Sequence, residues 1–279
     1  MKQLHTMDLE LAYEDRTIVK GLNLQIPPGK ITALVGRNGS GKSTILQSLA
    51  RLLRPKSGTV YLDGKSIHTQ ATREVAKSLA ILPQGPEAPE GLTVEGLVSH
   101  GRYPYQKLIG GKSEEDQRMV QWALEVTGTA ELADRPLTAL SGGQRQRVWI
   151  AMALAQDTEL LLLDEPTTFL DMAHQLEVLE LLKKLNMEAN RTIVMVVHDL
   201  NHAARYADHL VTIYNGEIVS EGPPQVVLNS EMLEKVFGVK SHIIYDPETN
   251  TPLCIPYKLV SQDPKDEGKQ SMEKMAVNK

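Results

Sequence analysis

The chain has 279 residues, 41% of them hydrophobic and 23% charged, and its formal net charge is −5. Such a length and composition suit a globular protein with a large core, and the acidic balance argues against nucleic acid as its main partner, because duplex binding depends on lysine and arginine side chains that neutralise phosphates. The single cysteine, Cys254, excludes an intrachain disulfide and a cysteine-based zinc site, and it fits a cytosolic protein.

No segment of the chain is suited to entering a membrane. The first five residues lack the apolar core of a signal peptide, and no apolar run approaches the roughly 20 residues that a membrane-spanning helix needs. If the protein serves a membrane, we therefore expect it to do so by docking to another chain.

A glycine-rich loop occupies residues 36–44. Strands are predicted before it at residues 9–13, 19–26 and 31–35, and after it at residues 59–62 and 78–82. The loop fits the pattern G-x-x-x-x-G-K-[ST], and its residues are Gly36, Arg37, Asn38, Gly39, Ser40, Gly41, Lys42, Ser43 and Thr44. In such a loop backbone N–H groups surround a phosphate, Lys42 adds a charge and Ser43 offers a hydroxyl to Mg²⁺.

The flanks of this loop separate a nucleotide site from the alternative, an ordinary glycine-rich turn. A buried strand precedes the loop and an amphipathic helix follows from Ile45. A bound phosphate would therefore lie at a helix N-terminus, where unpaired N–H groups and the helix dipole favour an anion. This context indicates a nucleotide site.

The composition changes at residues 85–91, which are rich in proline and glycine. Helices with loops are predicted from residue 93 to about residue 155, and Ser113, followed by acidic residues, is a good N-cap for one of them. We interpret this part as a helical subdomain inserted into an α/β core.

Continuous apolar runs at residues 160–163 and 192–197 predict parallel strands that are buried on both faces. Further along, Asn215-Gly216 between two short strands is a strong hairpin signal. Short strands are expected near residues 242–245, and the charged residues 261–279 are predicted to form a disordered tail.

Two adjacent acids, Asp164 and Glu165, end the predicted strand at residues 160–163. In a parallel sheet this end lies beside the glycine-rich loop, so Asp164 is suited to hold Mg²⁺, usually through water, and Glu165 to polarise water for attack on a γ-phosphate. The alternative is that both acids merely end a strand in solvent. The pairing of loop and acid is what phosphoryl transfer requires, and it favours the catalytic interpretation.

A third element begins a helix: Leu140, Ser141, Gly142, Gly143 and Gln144. A serine and two glycines at this place form a second anion-binding N-terminus, although an ordinary helix cap would be the favoured interpretation if the element stood alone. Taken with the loop and the acids, it resembles the signature of the ATP-binding cassette (ABC) ATPases. The resemblance runs from about residue 9 to residue 237.

The resemblance implies an α/β fold: a P-loop NTPase core with a mostly parallel sheet, an N-terminal antiparallel β subdomain and an inserted α-helical subdomain. One domain is then expected over residues 1–260. Its parts are the core at about 1–84 and 156–240, the helical subdomain at about 85–155 and a short C-terminal β extension at about 241–260.

The resemblance also implies roles for residues elsewhere in the chain. Tyr13 stands where the family has an aromatic ring on adenine, and Gln84 where a glutamine links Mg²⁺ and the attacking water to the helical subdomain. Asp171 matches an aspartate that communicates across a dimer, and His198 a histidine that contacts the γ-phosphate. The expected catalytic residues are Glu165, His198, Gln84 and Lys42, and the expected Mg²⁺ ligands are Ser43, Gln84 and Asp164.

Two local features require comment. Phe169 stands where many relatives carry a small residue, which bears on dimer communication and leaves the ATPase interpretation intact. His198 and His202 stand four apart on a predicted helix, a spacing that suits zinc, but no third ligand is evident nearby and we reject a zinc site.

Within the family, a single cassette without membrane helices fits the subunit of an importer. Residues 100–105 and 166–175 resemble the subgroup that energises uptake of iron–siderophores, haem and cobalamin. The expected assembly is a head-to-tail homodimer in which each ATP lies between Lys42 of one chain and Ser141 of the other. We expect it on the cytoplasmic side of the membrane, bound to permease subunits through a groove near Gln84 and served indirectly by a substrate-binding protein.

Two alternatives stay open from sequence alone. A soluble cassette ATPase acting on ribosomes or DNA is one, and co-purification with nucleic acid rather than membrane partners would indicate it. A nucleotide-binding scaffold without hydrolysis is the other, and the presence of Glu165, Gln84 and His198 disfavours it.

Overall fold

The structure, a computed structural model, describes residues 1–86, 89–106, 113–168 and 170–260. The strands are Leu4–Tyr13 (β1), Arg16–Leu22 (β2), Gln25–Ile26 (β3), Ile31–Val35 (β4), Ser57–Leu62 (β5), Lys65–Ser66 (β6), Leu79–Leu82 (β7), Leu160–Asp164 (β8), Thr192–Val196 (β9), His209–Tyr214 (β10), Glu217–Gly222 (β11), Val239–Tyr245 (β12) and Pro252–Leu259 (β13). The helices are Lys42–Leu49 (α1), Thr72–Ala76 (α2), Val94–His100 (α3), Glu114–Val126 (α4), Gly142–Ala155 (α5), Met172–Ala189 (α6), Leu200–Tyr206 (α7), Pro224–Val227 (α8) and Ser230–Met232 (α9). Phe169 and the predicted tail at residues 261–279 lie outside the described residues.

Six strands form the main sheet, in the order β11-β10-β4-β9-β8-β7. β4 pairs in parallel with β9 and β10, and β8 pairs in parallel with β7 and β9. Every residue of β4, β8 and β9 is buried, which is why these strands are continuous apolar runs in the sequence. The predicted parallel strands at residues 160–163 and 192–197 are confirmed, and β11 joins the sheet antiparallel through the Asn215-Gly216 turn.

This pairing brings four loops to one edge of the main sheet. The glycine-rich loop follows β4, Gln84 follows β7, Glu165 follows β8 and His198 follows β9. Because parallel strands end at the same edge, residues that are far apart in the sequence meet there.

An antiparallel sheet covers the other side of α1. Its order is β2-β1-β5-β6, with β3 paired to β1, and an Asp63-Gly64 turn joins β5 to β6. Ile45, Leu46 and Leu49 of α1 are fully buried in a hydrophobic cluster shared by both sheets. The helix that begins at the glycine-rich loop is therefore held between two sheets.

The helices predicted between residues 93 and 155 pack on one another and share a hydrophobic core with α6 and α7. α4 begins as predicted at Ser113, whose side chain accepts the N–H of Asp116 while Asp116 accepts the N–H of Ser113. Within the described ranges, no helix of the chain combines the length and apolar character needed to cross a bilayer.

A buried ion pair ties this helical part together. Arg102 and Asp116 are 3% and 4% exposed, and Arg102 Nε lies 2.9 Å from Asp116 Oδ1. Arg102 also donates to the carbonyl oxygen of Ala155 at 2.8 Å and lies over the ring of Tyr105. Burial alone would raise the pKa of Asp116, but hydrogen bonds from Arg102 and Ser113 outweigh it and hold that pKa below its usual value.

The chain ends, in its described part, with a hairpin of β12 and β13 that packs on α7. The short strands predicted near residues 242–245 correspond to β12, and β13 lies within the β extension expected at about 241–260. The Asp246 carboxylate accepts the N–H groups of Glu248 and Thr249 and so closes a tight turn, which lets residues 252–259 return along β12.

We predict that Asp116→Ala destabilises the protein by about 3–5 kcal/mol, because it leaves Arg102 buried without its counter-charge. Glu115→Ala is the matched control in the same helical turn. It removes an exposed ion pair with Arg118, and its effect should stay within about 0.5 kcal/mol. Urea unfolding followed by circular dichroism measures both, and equal effects would contradict a structural role for the buried pair.

Candidate phosphate-binding and catalytic site

The conformation of the loop at residues 36–44 requires glycine at specific places. Gly36 has φ 151°, and a Cβ there would lie 2.1 Å from the carbonyl oxygen of Ile213. Gly41 has φ 104° and immediately precedes α1. The glycines of the motif thus permit a backbone path that a larger residue would block, and this path leads into the N-terminus of α1.

Lys42, the first residue of α1, turns its ammonium group back over the loop. Its Nζ donates to the carbonyl oxygens of Gly36 at 2.9 Å and Arg37 at 3.0 Å. Burial lowers the pKa of Lys42, and the carboxylates of Glu165 and Asp164 offset part of that effect. The loop therefore encloses a partly desolvated positive charge.

The Asn215-Gly216 turn, which is remote in the sequence, contacts the backbone of the loop at residues 36–44. The N–H of Gly216 donates to the carbonyl oxygen of Ser40 at 3.0 Å. A Cβ at Gly216 would lie 1.9 Å from the carbonyl oxygen of Ile18, so this position also requires glycine. Sequence reasoning identified Asn215-Gly216 as a hairpin turn and missed its contact with the loop, because the dipeptide carries no signal about what it packs against.

Ser43 and Asp164 meet although they belong to different strand–loop units. Ser43 Oγ donates to Asp164 Oδ1 at 2.9 Å, and Asp164 is 2% exposed. Burial raises the pKa of Asp164 and the charge of Glu165 adds to this, whereas Ser43 and Lys42 act in the opposite direction. The net upward shift means that the carboxylate lacks full compensation for its charge.

The Glu165 carboxylate contacts two other predicted catalytic residues, Gln84 and His198. Its Oε2 accepts Gln84 Nε2 at 2.6 Å and the hydroxyl of Thr168 at 3.0 Å, and its Oε1 lies 2.5 Å from His198 Nε2. Glu165 has φ 54°, a strained conformation for a residue with a side chain, and such strain clusters at functional sites. Thr168 was missed because its role depends on this turn, not on a pattern.

These side chains surround a cleft of about 360 Å³. It is lined by Asn38, Gly39, Gly41, Lys42, Ser43, Thr44, Gln84, Glu165 and His198. The cleft thus combines backbone N–H groups at a helix N-terminus, a lysine, a hydroxyl and a carboxylate held by three partners. Tyr13 lies at the end of β1, beside α1, where its hydroxyl donates to Gln47 Oε1 at 3.0 Å.

The element at residues 141–144 lies away from this lining. Ser141 caps α5 by accepting the N–H of Gln144, and the Gln144 side chain accepts the N–H of Ser141. Asp171 caps the neighbouring helix α6, with its Oδ1 2.9 Å from the backbone nitrogen of His174 and 2.7 Å from its ring nitrogen. The structure therefore brings Lys42, Glu165, Gln84 and His198 together and leaves Ser141–Gln144 and Asp171 outside the cleft.

His198 is not on a helix, contrary to the sequence interpretation. It stands between β9 and α7, which begins at Leu200 and is capped by Asp199. Although His198 and His202 are four residues apart, they therefore do not lie on one face of a helix. Among the described residues, no three histidine, cysteine, aspartate or glutamate side chains are grouped so as to hold a metal ion.

Comparison with known proteins identifies the family. A family model described as ABC transporter matches residues 19–168. The iron(3+)-hydroxamate import ATP-binding protein FhuC of Bacillus subtilis (strain 168) is 56% identical over 263 residues, which are 94% of this chain and 98% of that protein. The chain belongs to the ABC transporter ATPases. It is an ATPase subunit with the fold that the sequence predicted.

Solved structures agree with this assignment. A transporter assigned to the metal-chelate type, in an inward-facing conformation, superposes with a TM-score of 0.79 at 30% identity over 92% of this chain and 97% of that one. The dimeric bacterial ABC transporter cassette MJ0796 superposes with a TM-score of 0.71 at 30% identity, over 79% of this chain and 98% of that one. The α/β fold predicted from the sequence is confirmed.

We predict that Lys42→Ala weakens ATP binding by roughly 10- to 100-fold, because charge-assisted hydrogen bonds to phosphate are lost. Lys20→Ala, which removes an exposed lysine on β2, should bind ATP normally. Equilibrium titration with a fluorescent ATP analogue measures both affinities. Unchanged binding by Lys42→Ala would contradict the phosphate-loop assignment.

Proposed function

We propose that this chain is the ATP-hydrolysing subunit of an importer that carries an iron–siderophore or a related metal chelate through a membrane permease. The observation that carries this proposal is its similarity to the iron(3+)-hydroxamate import protein, which extends over nearly the whole of both chains. The cleft supports the energetic part of the proposal, since it holds the groups that phosphoryl transfer needs.

ATP would bind with its triphosphate in the loop at residues 36–44 and at the N-terminus of α1. Lys42 would exchange its contacts with the loop carbonyls for contacts with phosphate oxygens, which favours binding because its buried charge gains a counter-charge. Tyr13 would stack on adenine, for which its exposed ring at the end of β1 is available.

The donor set fits Mg²⁺. Ser43 and Asp164 are in contact, and Ser43 and Gln84 both line the cleft, so these three side chains can offer hard oxygen atoms to the ion. Mg²⁺ accepts few protein carboxylates and keeps water and phosphate ligands, which agrees with a single aspartate. When bound there, it would neutralise charge on the transferring phosphoryl group.

Hydrolysis would use Glu165 as the base that takes a proton from the attacking water. Its Oε1 and Oε2 are oriented by His198 on one side and by Gln84 and Thr168 on the other. His198 would contact the γ-phosphate, and Gln84 would link Mg²⁺ and the attacking water to the helical subdomain. General-base catalysis of this type contributes about 10²–10⁴-fold to the rate.

The site would be completed by a second copy of the chain. Ser141, Gly142, Gly143 and Gln144 of one copy would close over the ATP bound to the other, which agrees with their position outside the cleft of their own chain. Asp171, at the start of α6, would contact the partner near its loop and couple the two sites. Closure of the dimer would then depend on ATP.

The permease would dock near Gln84, between a core formed by about residues 1–84 and 156–240 and a helical subdomain formed by about residues 85–155. The assembly would lie on the cytoplasmic side of the membrane, and a substrate-binding protein would deliver the chelate to the permease. The acidic net charge of −5 agrees with an assembly that does not bind nucleic acid.

We predict that Glu165→Gln keeps ATP binding and lowers kcat by about 10²–10⁴-fold, because the amide cannot accept the proton of the attacking water. Glu159→Gln is the matched control at the opposite end of the same strand. Phosphate release by the full chain, with and without its permease, measures both rates. Near-normal turnover by Glu165→Gln would contradict its role as a base.

We predict that Glu165→Gln with ATP forms a dimer, twice the chain mass of 30.9 kDa, and that adding Ser141→Arg abolishes it. Ser113→Arg in the same background is the matched control, because it removes an equivalent helix cap from α4. Size-exclusion chromatography with light scattering reads the mass. A dimer that survives Ser141→Arg would contradict a nucleotide site shared between copies.

A further inference from the structure

The hairpin of β12 and β13 lies outside residues 19–168, which match the family model, and no role proposed above uses it. It packs directly on α7, the helix that begins two residues after His198. Only Asp199 separates His198, which lines the cleft, from α7, on which the hairpin packs.

Asn201 joins α7 to β13 through both polar groups of its side chain. The N–H of Cys254 donates to Asn201 Oδ1 at 2.7 Å, and Asn201 Nδ2 donates to the carbonyl oxygen of Cys254 at 3.4 Å. A side-chain amide offers the same donor and acceptor as a backbone peptide. Asn201 therefore occupies the free edge of the two-stranded hairpin as a neighbouring strand would.

α7 depends on such contacts because it has only seven residues, too few to hold a helix in isolation. On the core side, Ala203 and Ala204 are buried. On the hairpin side, the Asn201 contacts are joined by an ion pair between Arg205 and Asp246 at 3.7 Å. The first turn is closed by Asp199, whose carboxylate accepts the N–H of His202 at 2.8 Å.

The position of His198 is therefore fixed by the residues on either side of it. On one side the N–H of Val197 donates to the carbonyl oxygen of Leu34 at 3.3 Å, and on the other side α7 begins. The imidazole reaches Glu165 at 2.5 Å, a contact that a small movement of α7 would break. A misplacement of about 1 Å costs up to roughly 100-fold in rate.

We propose that Asn201 is a positioning residue for ATP hydrolysis: by fastening α7 to the C-terminal hairpin, it holds His198 against Glu165. The proposal rests on the roles given above to His198 and Glu165. Asn201 acts through His198 and not on the nucleotide, so its loss lowers the rate of hydrolysis while ATP affinity is kept.

The first test compares Asn201→Ala with Asn229→Ala in the full chain. Asn229 is matched in chemistry, since its side chain accepts the N–H of Met232 at 2.9 Å and donates to Val226 at 3.3 Å, at the start of α9. We expect Asn201→Ala to lower kcat roughly ten-fold with KM for ATP within a factor of about two, and Asn229→Ala to keep both. Equal kcat values for the two variants would overturn the proposal.

A double-mutant cycle with His198→Ala separates positioning from a general loss of structure. If Asn201 acts through His198, adding Asn201→Ala to His198→Ala lowers the remaining rate by less than about two-fold. A full second ten-fold loss would overturn the proposal. A wild-type rate for His198→Ala would refute the role of His198 and this proposal together, whereas an impaired His198→Ala beside an unimpaired Asn201→Ala would refute the positioning role alone.

Cys254, the single cysteine, reports on the same contact. Its side chain is buried, and burial together with Asp199 raises the pKa of the thiol to about 11, so modification by a disulfide reagent is slow in the folded protein. Asn201→Ala should raise the labelling rate by about five- to thirty-fold at constant pH, and Asn229→Ala should not. Unchanged labelling in Asn201→Ala would show that the amide does not fasten the hairpin and would overturn the proposal.

Discussion

The parallel pairing of β4 between β9 and β10 is the constraint on which the rest of the structure depends. Three completely buried strands, β4, β8 and β9, cannot be displaced relative to one another without exposing apolar side chains or leaving backbone groups unpaired. The C-terminal ends of these three strands consequently stay in register, and the loops that follow the strands keep fixed distances from one another. The Ser43–Asp164 hydrogen bond and the contacts of Glu165 with Gln84 and His198 are results of that register. The antiparallel sheet adds the second wall that holds α1.

The charges of the cleft are arranged so that ligands complete them. Burial lowers the pKa of Lys42 and raises that of Asp164. The charged form of each side chain thus remains destabilised by desolvation, because the attraction between the two opposite charges is too weak to compensate. A triphosphate would bring the counter-charge that Lys42 lacks, and a divalent cation the one that Asp164 lacks. This reciprocal need gives a physical reason for ATP and Mg²⁺ to bind together, and the strained backbone at Glu165 is kept because three side chains fix its carboxylate.

The second half of the proposed site is a unit of its own. α5 is tied to the loop that precedes α6 and to α6 itself: Gln146 donates to the carbonyl oxygen of Pro166 in that loop at 2.9 Å, and Arg147 pairs with Glu177 of α6 at 2.8 Å. A Cβ at Gly143 would lie 3.2 Å from the His174 ring, a tight contact, so the glycine at this position favours the close approach of the two helix N-termini. Ser141 and Asp171 are thus presented together, which suits a surface that meets another copy of the chain in one step. The buried Arg102–Asp116 pair keeps the helices behind this surface in fixed relation.

The sequence by itself determined the local features: the loop at residues 36–44, the buried strands, the Ser113 cap and the residues of the cleft that belong to recognisable patterns. Each of these is encoded by backbone preferences or by the period of apolar residues over a few positions. Only the tertiary structure decided the support of the loop by Gly216, the contact of Thr168 with Glu165, the position of His198 before α7 and the attachment of the hairpin by Asn201. These contacts join residues whose neighbours are chosen by strand order and helix packing, and no local pattern carries that information.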